Sequence, residues 1–184
     1  VSRPNRGRRF AVGVWCAAIL TTVATTAAGT AGWRINSTPS LPVGLWRVDA
    51  AGAVTPGVVV ELCPPDSEPF RLARERGYVP AGACPGGYQP LFKPIVAQAG
   101  DEVELTGEGV RVNGVLLVNS RPLAADGAGR PMPVLAPGRY RVEAGTVWVV
   151  SSHHPASFDS RYFGALPLES IQGTARPILV QGAS

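Results

Sequence analysis

The pattern of apolar and polar positions divides the chain near Arg34. Residues 10–33 carry no charge, and that length exceeds the roughly 20 residues needed to cross a bilayer core as a helix. Beyond them the apolar positions come in short bursts separated by Gly and Pro, which is strand spacing. Strands are predicted at residues 58–62, 95–105, 140–142 and 147–150, with a closing strand at 175–180. Residues 110–117 read as a hairpin, because Asn113-Gly114 supplies the positive φ angles of a tight type I′ turn. One helix is predicted at about 67–76, capped by Asp66 or Ser67 and stopped by Gly77, with Arg71, Arg74, Glu75 and Arg76 on a solvated face. Residues 121–138 read as an irregular excursion. The pattern predicts a mainly β fold: a coiled β-sheet or barrel core with a small inserted subdomain, preceded by one N-terminal transmembrane helix.

Charge and cysteine usage add a compartment. The chain of 184 residues has 17 Lys and Arg against 13 Asp and Glu, a formal net charge of +4. Arg3, Arg6, Arg8 and Arg9 supply those four charges, so the remainder sums to zero and no basic surface for nucleic acid is expected. Arginines on the N-terminal flank predict a cytoplasmic basic tail at 1–9, a transmembrane anchor or signal segment at 10–33 and an exported domain at 34–184. Trp15 and Trp33 fall near the two interfaces of such a span. The segment is rich in Ala, Thr and Gly, and its small residues at 27–32 would also suit a cleaved signal peptide, which would leave the same domain soluble in the periplasm. Cys16 lies inside the apolar segment. Cys63 and Cys84 remain as an even pair that an oxidising compartment would permit to bridge, worth about 3 kcal/mol in the chain-entropy model. The alternative is two free thiols. Without a histidine cluster nearby they make a poor zinc site, and no metal or cofactor is expected.

Lys93 is the only lysine; the other sixteen basic residues are arginine. It stands among apolar neighbours in Leu91-Phe92-Lys93-Pro94-Ile95. Desolvation penalises an ammonium, so burial would push this amine toward the neutral form, a shift open to lysine and closed to arginine. Lys93 is therefore a candidate general base. The competing reading is a leftover of arginine-biased composition whose head reaches water.

Three ordered segments join it: Asn36-Ser37-Thr38-Pro39-Ser40-Leu41-Pro42-Val43-Gly44-Leu45-Trp46, the stretch from Lys93 to Gly100-Asp101, and Ser157-Phe158-Asp159-Ser160-Arg161-Tyr162-Phe163-Gly164. In this order and spacing they resemble the Ser/Lys peptidases of the type I signal peptidase family. The nucleophile motif and the intervening Cys-Pro-Pro…Gly-x-Cys-Pro segment resemble its TraF branch, the conjugative-transfer pilin peptidases. The resemblance implies Ser40 as nucleophile and Lys93 as general base. It also implies Thr38 as a hydroxyl beside the oxyanion, Ser157 as the residue orienting the lysine, and Asp159 as a member of the catalytic set. Thr38 reads equally as a turn hydroxyl, and Asp159 as the partner of an Arg161 ion pair. The implied reaction is endoproteolysis of an exported, propilin-like preprotein after small residues at the outer face of the inner membrane. Resolution of the acyl-enzyme by the substrate's own amine would give a cyclic product.

One departure is visible. Where signal peptidases usually have Gly-Asp-Asn-Arg before the last box, this chain has Ser151-Ser152-His153-His154. Two other readings stay open: a Ser-His hydrolase using His153 or His154, although no Gly-x-Ser-x-Gly elbow is present, and a non-catalytic β-rich envelope module for assembling a conjugation system.

Overall fold

A computed structural model describes residues 6–50 and 52–181; of the basic tail, residues 1–5 therefore lie outside the described residues. Helix α1, Arg6–Thr30, contains the apolar stretch Phe10–Thr30, which is long and apolar enough to cross a membrane at a mean hydropathy of 1.7. Its threonines do not break it. Thr21, Thr22 and Thr25 donate their hydroxyls to the carbonyls of Ala17, Ala18 and Thr21, four residues back, at 2.9–3.0 Å, so each polar proton is satisfied inside the helix. Cys16 is exposed on it. This unit and the body from Ile35 onward are separate compact units.

The body is mainly β. Strands β1 (Trp33–Asn36), β2 (Gly44–Asp49), β3 (Val59–Leu62) and β4 (Leu91–Gln98) are followed by β5 (Glu102–Leu105), β6 (Val110–Val112), β7 (Val115–Leu116) and β8 (Gly138–Arg141), then β9 (Thr146–Val149), β10 (Leu166–Pro167) and β11 (Ile171–Val180). Seven of them form an open, curled sheet in the order β1-β2-β11-β3-β4-β9-β10, and four form a second sheet in the order β7-β6-β5-β8. The second sheet is the inserted subdomain, since it lies between β4 and β9 in the chain. β11 runs antiparallel between β2 and β3, which ties the C-terminal segment to the strand that follows Ser40.

The continuous strand predicted at 95–105 is two strands. Gly100 adopts φ 94° and Asp101 Oδ2 accepts the Gln98 N–H at 2.9 Å, so a turn carries the chain out of the first sheet and into the second. The hairpin at 110–117 forms with Asn113 at φ 49° and Gly114 at φ 83°, the conformations that a type I′ turn requires. β1 and β2 flank the Ser40 segment and were not singled out by the alternation pattern, because Pro and Ser interrupt the apolar positions there.

Apolar packing falls into separate clusters. One joins Val60, Leu62, Ile95 and Val149 of the first sheet to Phe70, Tyr88, Phe158 and Tyr162. A second joins Ala97, Trp148 and Val150 to Val103, Leu105, Val110 and Val142 beneath the small sheet. A third sets Leu41 and Trp46 against Ala175 and Phe92. Helix α2, Glu68–Glu75, starts after Ser67 with a proline in its first turn and is followed by Gly77 at φ 77°. Its buried Phe70 ring stands 5.9 Å from Phe158 and 4.6 Å from Phe163, centroid to centroid. A disulfide between Cys63 and Cys84, Cα–Cα 5.4 Å, closes the loop that carries α2. Cys63→Ser/Cys84→Ser is expected to lower stability by about 2–4 kcal/mol, read as a fall in denaturation midpoint under non-reducing conditions. Reductant added to the unaltered chain should reproduce most of that fall; a midpoint unchanged in both cases would mean the loop is held by packing alone.

Candidate active site

Between β1 and β2 the chain runs through two prolines and a tight turn, and five consecutive carbonyls there are met by side-chain donors. Asn36 Nδ2 lies within hydrogen-bond reach of Thr38 O, Leu41 O and Pro42 O at 3.0, 3.0 and 3.1 Å, so one of its two protons is shared between two of them. Trp46 Nε1 also donates to Pro42 O at 3.0 Å. From across the fold, His153 Nδ1 lies 2.9 Å from Pro39 O, and the Ser151 hydroxyl donates to Ser40 O. A carbonyl only accepts, so His153 carries its proton on Nδ1 here. Asn36 Oδ1 in turn accepts the Thr38 N–H at 3.2 Å and the Thr38 hydroxyl at 2.9 Å. Leu41 is buried against Trp46, and Ser40 itself is half-buried at the rim. Among the described residues no hydrogen bond uses the Ser40 N–H.

Lys93 sits on the buried face of β4. Side chains alternate along a strand, and Lys93, Ile95 and Ala97 are all buried while the intervening positions are half-buried. The lysine is 4% exposed, and its Nζ donates to Ser157 Oγ at 2.8 Å. Burial pulls its pKa down from 10.5 to about 8; the Asp159 carboxylate works against that shift and Arg161 adds to it. The single lysine of the chain is thus a buried amine, not a snorkelling one. Among the described residues no hydrogen bond joins Ser40 Oγ to Lys93 Nζ.

The last box supplies the frame. Asp159 caps the short helix α3, Ser160–Phe163, and both Asp159 and Arg161 side chains are fully buried. Arg161 Nε reaches Asp159 Oδ1 at 2.7 Å and Nη2 reaches Oδ2 at 2.8 Å, a two-pronged pair. The remaining guanidinium protons go to carbonyls: Nη2 to Ser157 at 2.8 Å, and Nη1 to Pro155, Arg121 and Asn119 at 2.9, 3.1 and 3.3 Å. Asp159 Oδ2 also accepts the Ser151 N–H at 3.1 Å. One connected path therefore runs from Asp159 through Ser151 to the backbone of Ser40, and another from Arg161 through Ser157 to the amine of Lys93. Val150, the residue before Ser151, donates its N–H to Pro94 O at 3.3 Å, which places that segment alongside the lysine strand.

The cluster contains Lys93, Ser157 and Asp159, with Ser40 and Thr38 on the loop that Ser151 and His153 grip. Asp159 touches Arg161 and Ser151, and its carboxylate makes no hydrogen bond to Lys93 among the described residues. Ser151 and the organising role of Asn36 were not foreseen. The signal for Ser151 was the Ser-Ser-His-His departure itself, and for Asn36 its position two residues before Thr38, where an Asx turn forms readily. His154 Nδ1 accepts the Ala156 N–H at 3.2 Å, and among the described residues neither imidazole is hydrogen-bonded to Asp159 or to Ser40 Oγ. No cluster of His, Cys, Asp or Glu suited to a metal ion occurs among the described residues.

The chain is similar in sequence to known proteins. Over 172 residues, covering 94% of this chain and 96% of the relative, the sequence is 40% identical to a plasmid transfer protein TraF of Escherichia coli. It is 40% identical over 183 residues to a probable conjugal transfer protein TraF of Sinorhizobium fredii, covering 97% of this chain and 93% of that one. A solved signal peptidase I from Enterococcus faecalis overlays 68% of this chain and 98% of its own, with a TM-score of 0.39 and 18% identity. The profile of the family described as signal peptidase, peptidase S26, matches residues 7–180. By the length of that match and the identity to the transfer proteins, the chain belongs to the peptidase S26 family of signal peptidases.

Proposed function

We propose that this protein is a membrane-anchored serine endopeptidase that uses Ser40 as nucleophile and Lys93 as general base. The observation that carries the reading is the buried amine of Lys93, drawn down to about 8 and held by Ser157 at 2.8 Å. A serine hydroxyl is a weak nucleophile until a neighbour removes its proton. Neutral Lys93 has two N–H groups and one lone pair; donating one proton to Ser157 fixes the amine and leaves the lone pair for Ser40. Ser40 Oγ then attacks the scissile carbonyl, Lys93 takes the hydroxyl proton and passes it to the leaving amine, and water or another amine resolves the acyl-enzyme. The uncommitted Ser40 N–H is the donor best placed to meet the oxyanion. In this reading Asp159 positions rather than reacts, since its oxygens accept from Arg161 and Ser151.

Family and the apolar N-terminal helix support a substrate class. Relatives named for plasmid and conjugal transfer support a preprotein of a conjugation system, with a propilin-like exported subunit as the leading candidate. Helix α1 would anchor the chain in the inner membrane with the body on the outer side. Seven residues separate Trp33 from Ser40, a reach of at most about 25 Å, so the nucleophile would stay near the membrane, where such cleavage sites emerge.

With a peptide carrying Ala at the −3 and −1 positions, Ser40→Ala and Lys93→Ala are each expected to slow cleavage by on the order of 10⁴-fold. Lys93→Arg should be no better than Lys93→Ala, because a guanidinium stays protonated. Processing that survives both alanine variants would remove the dyad.

The base must be neutral to act, so kcat/KM should rise with pH and level off above an apparent pKa near 8. Stability should move the same way. Between about pH 8 and 10.4 the unfolded chain holds a proton on this lysine that the native chain has released, so unfolding free energy rises with pH there and the burial penalty is complete below pH 8. Lys93→Met should lose that slope and gain stability at pH 7. Denaturant midpoints at pH 7 and 10 check both statements; an identical slope in the variant would show that Lys93 is not the titrating group.

A further inference from the structure

We infer that Asn36 is a positioning residue for the nucleophile and that it takes the hydroxyl proton of Thr38 out of play, so that Thr38 braces the loop instead of donating to the oxyanion. The inference rests on the reading of Ser40 as nucleophile.

The argument is a count of donors and acceptors. Asn36 is 7% exposed, and its amide has one allowed orientation. The nitrogen faces the carbonyls of Thr38, Leu41 and Pro42, which accept only, while the oxygen faces the Thr38 N–H, which donates only. Turning the amide over would set an oxygen against three oxygens. With Oδ1 fixed as acceptor, the Thr38 hydroxyl at 2.9 Å must donate to it, and a threonine hydroxyl has one proton. What remains on Thr38 Oγ1 toward a substrate is lone pairs, which repel a developing oxyanion. Serving as oxyanion donor would require Thr38 to give up its hydroxyl bond to Asn36 Oδ1 and leave that oxygen with the Thr38 N–H alone.

The same amide fixes where Ser40 stands. It binds the carbonyl two residues before the nucleophile and the two carbonyls after it, so both sides of Ser40 are tied to one buried group. Alanine at 36 removes the side-chain donor from the Thr38 and Leu41 carbonyls and leaves Pro42 O only the Trp46 indole N–H, and aspartate places like charge against them. The external bonds from Ser151 and His153 reach only Ser40 O and Pro39 O, and cannot replace the internal tie. A nucleophile displaced by about 1 Å can lose on the order of 100-fold in rate, which sets the expected effect.

The test is a double-mutant cycle on the full-length enzyme in detergent, using the same peptide, with hydrogen–deuterium exchange across residues 37–43 measured on every variant. Asn36→Ala is expected to lower kcat by about 100-fold with KM within about twofold, and to speed exchange in the loop while the melting midpoint of the body stays cooperative. Thr38→Val should lower kcat by less than about tenfold, Thr38→Ser should restore it, and Asn36→Ala/Thr38→Val should be no slower than Asn36→Ala alone. A Thr38→Val loss of about 10²–10³-fold in kcat, multiplying with the Asn36→Ala loss, would make Thr38 an independent oxyanion donor and overturn the inference. Unchanged kcat and unchanged exchange in Asn36→Ala would overturn it as well. Should Asn36→Ala fail to fold, the size of the Thr38→Val effect decides alone. Activity in Ser40→Ala would defeat the proposed nucleophile, whereas the exchange data would still report whether Asn36 holds the loop.

Discussion

The buried pair of Asp159 and Arg161 is the interaction on which the rest of the site depends. Each is fully withdrawn from water, and a lone buried charge of either sign would cost several kcal/mol. Together they satisfy one another and leave a set of directed hydrogen bonds. The guanidinium gathers carbonyls from residues 119, 121, 155 and 157, and so fastens the loop leaving the small sheet to the box that holds Ser157. The carboxylate holds the Ser151 N–H, and Ser151 holds Ser40. Removing one partner is therefore expected to be felt at both the lysine and the serine, because each hangs from a different end of the same pair.

The frame around that pair is apolar. Phe158 and Phe163 flank the charged residues in sequence and pack on Phe70 of α2, whose loop is closed by the disulfide. Ser160, between them, accepts the Val149 N–H at 2.9 Å and fastens the box to β9. Short, chemically loaded segments such as 157–163 cannot fold by local propensity alone. Here packing of Phe158 and Phe163 against Phe70 of α2 fixes the segment, and the charged residues between them turn to the directed bonds.

Much of this was legible in the chain. Alternation and turn residues carried the strands, the Asn113-Gly114 hairpin and α2, because each depends on local rules. Lys93 stood out because lysine was absent everywhere else, and its burial follows from a position in strand phase with Ile95 and Ala97. The break at Gly100 was missed although Gln98, Gly100, Asp101 and Glu102 interrupt the apolar positions there; the pairing with Val142 and Asn113 shows that the chain changes sheets. Asn36 and Ser151 were missed for a different reason. Their roles lie in bonds to backbone carbonyls that are remote in sequence or folded back within a loop, and no periodicity registers those.

Burial lowers the pKa of Lys93, and the charges around it act in both directions. Asp159 alone would attract a proton to Lys93 and hold it in the ammonium form. Arg161, bonded to that carboxylate, opposes the attraction, and the two influences on Lys93 have opposite signs. Burial is then left as the largest effect on the amine. The same pair that is strong as a mechanical tie thus acts on the lysine in two opposed directions, with Asp159 the larger of the two. A carboxylate with any less constant partner would tie the Lys93 amine to that partner's protonation; arginine, which does not titrate in the working range, keeps its opposing charge in place.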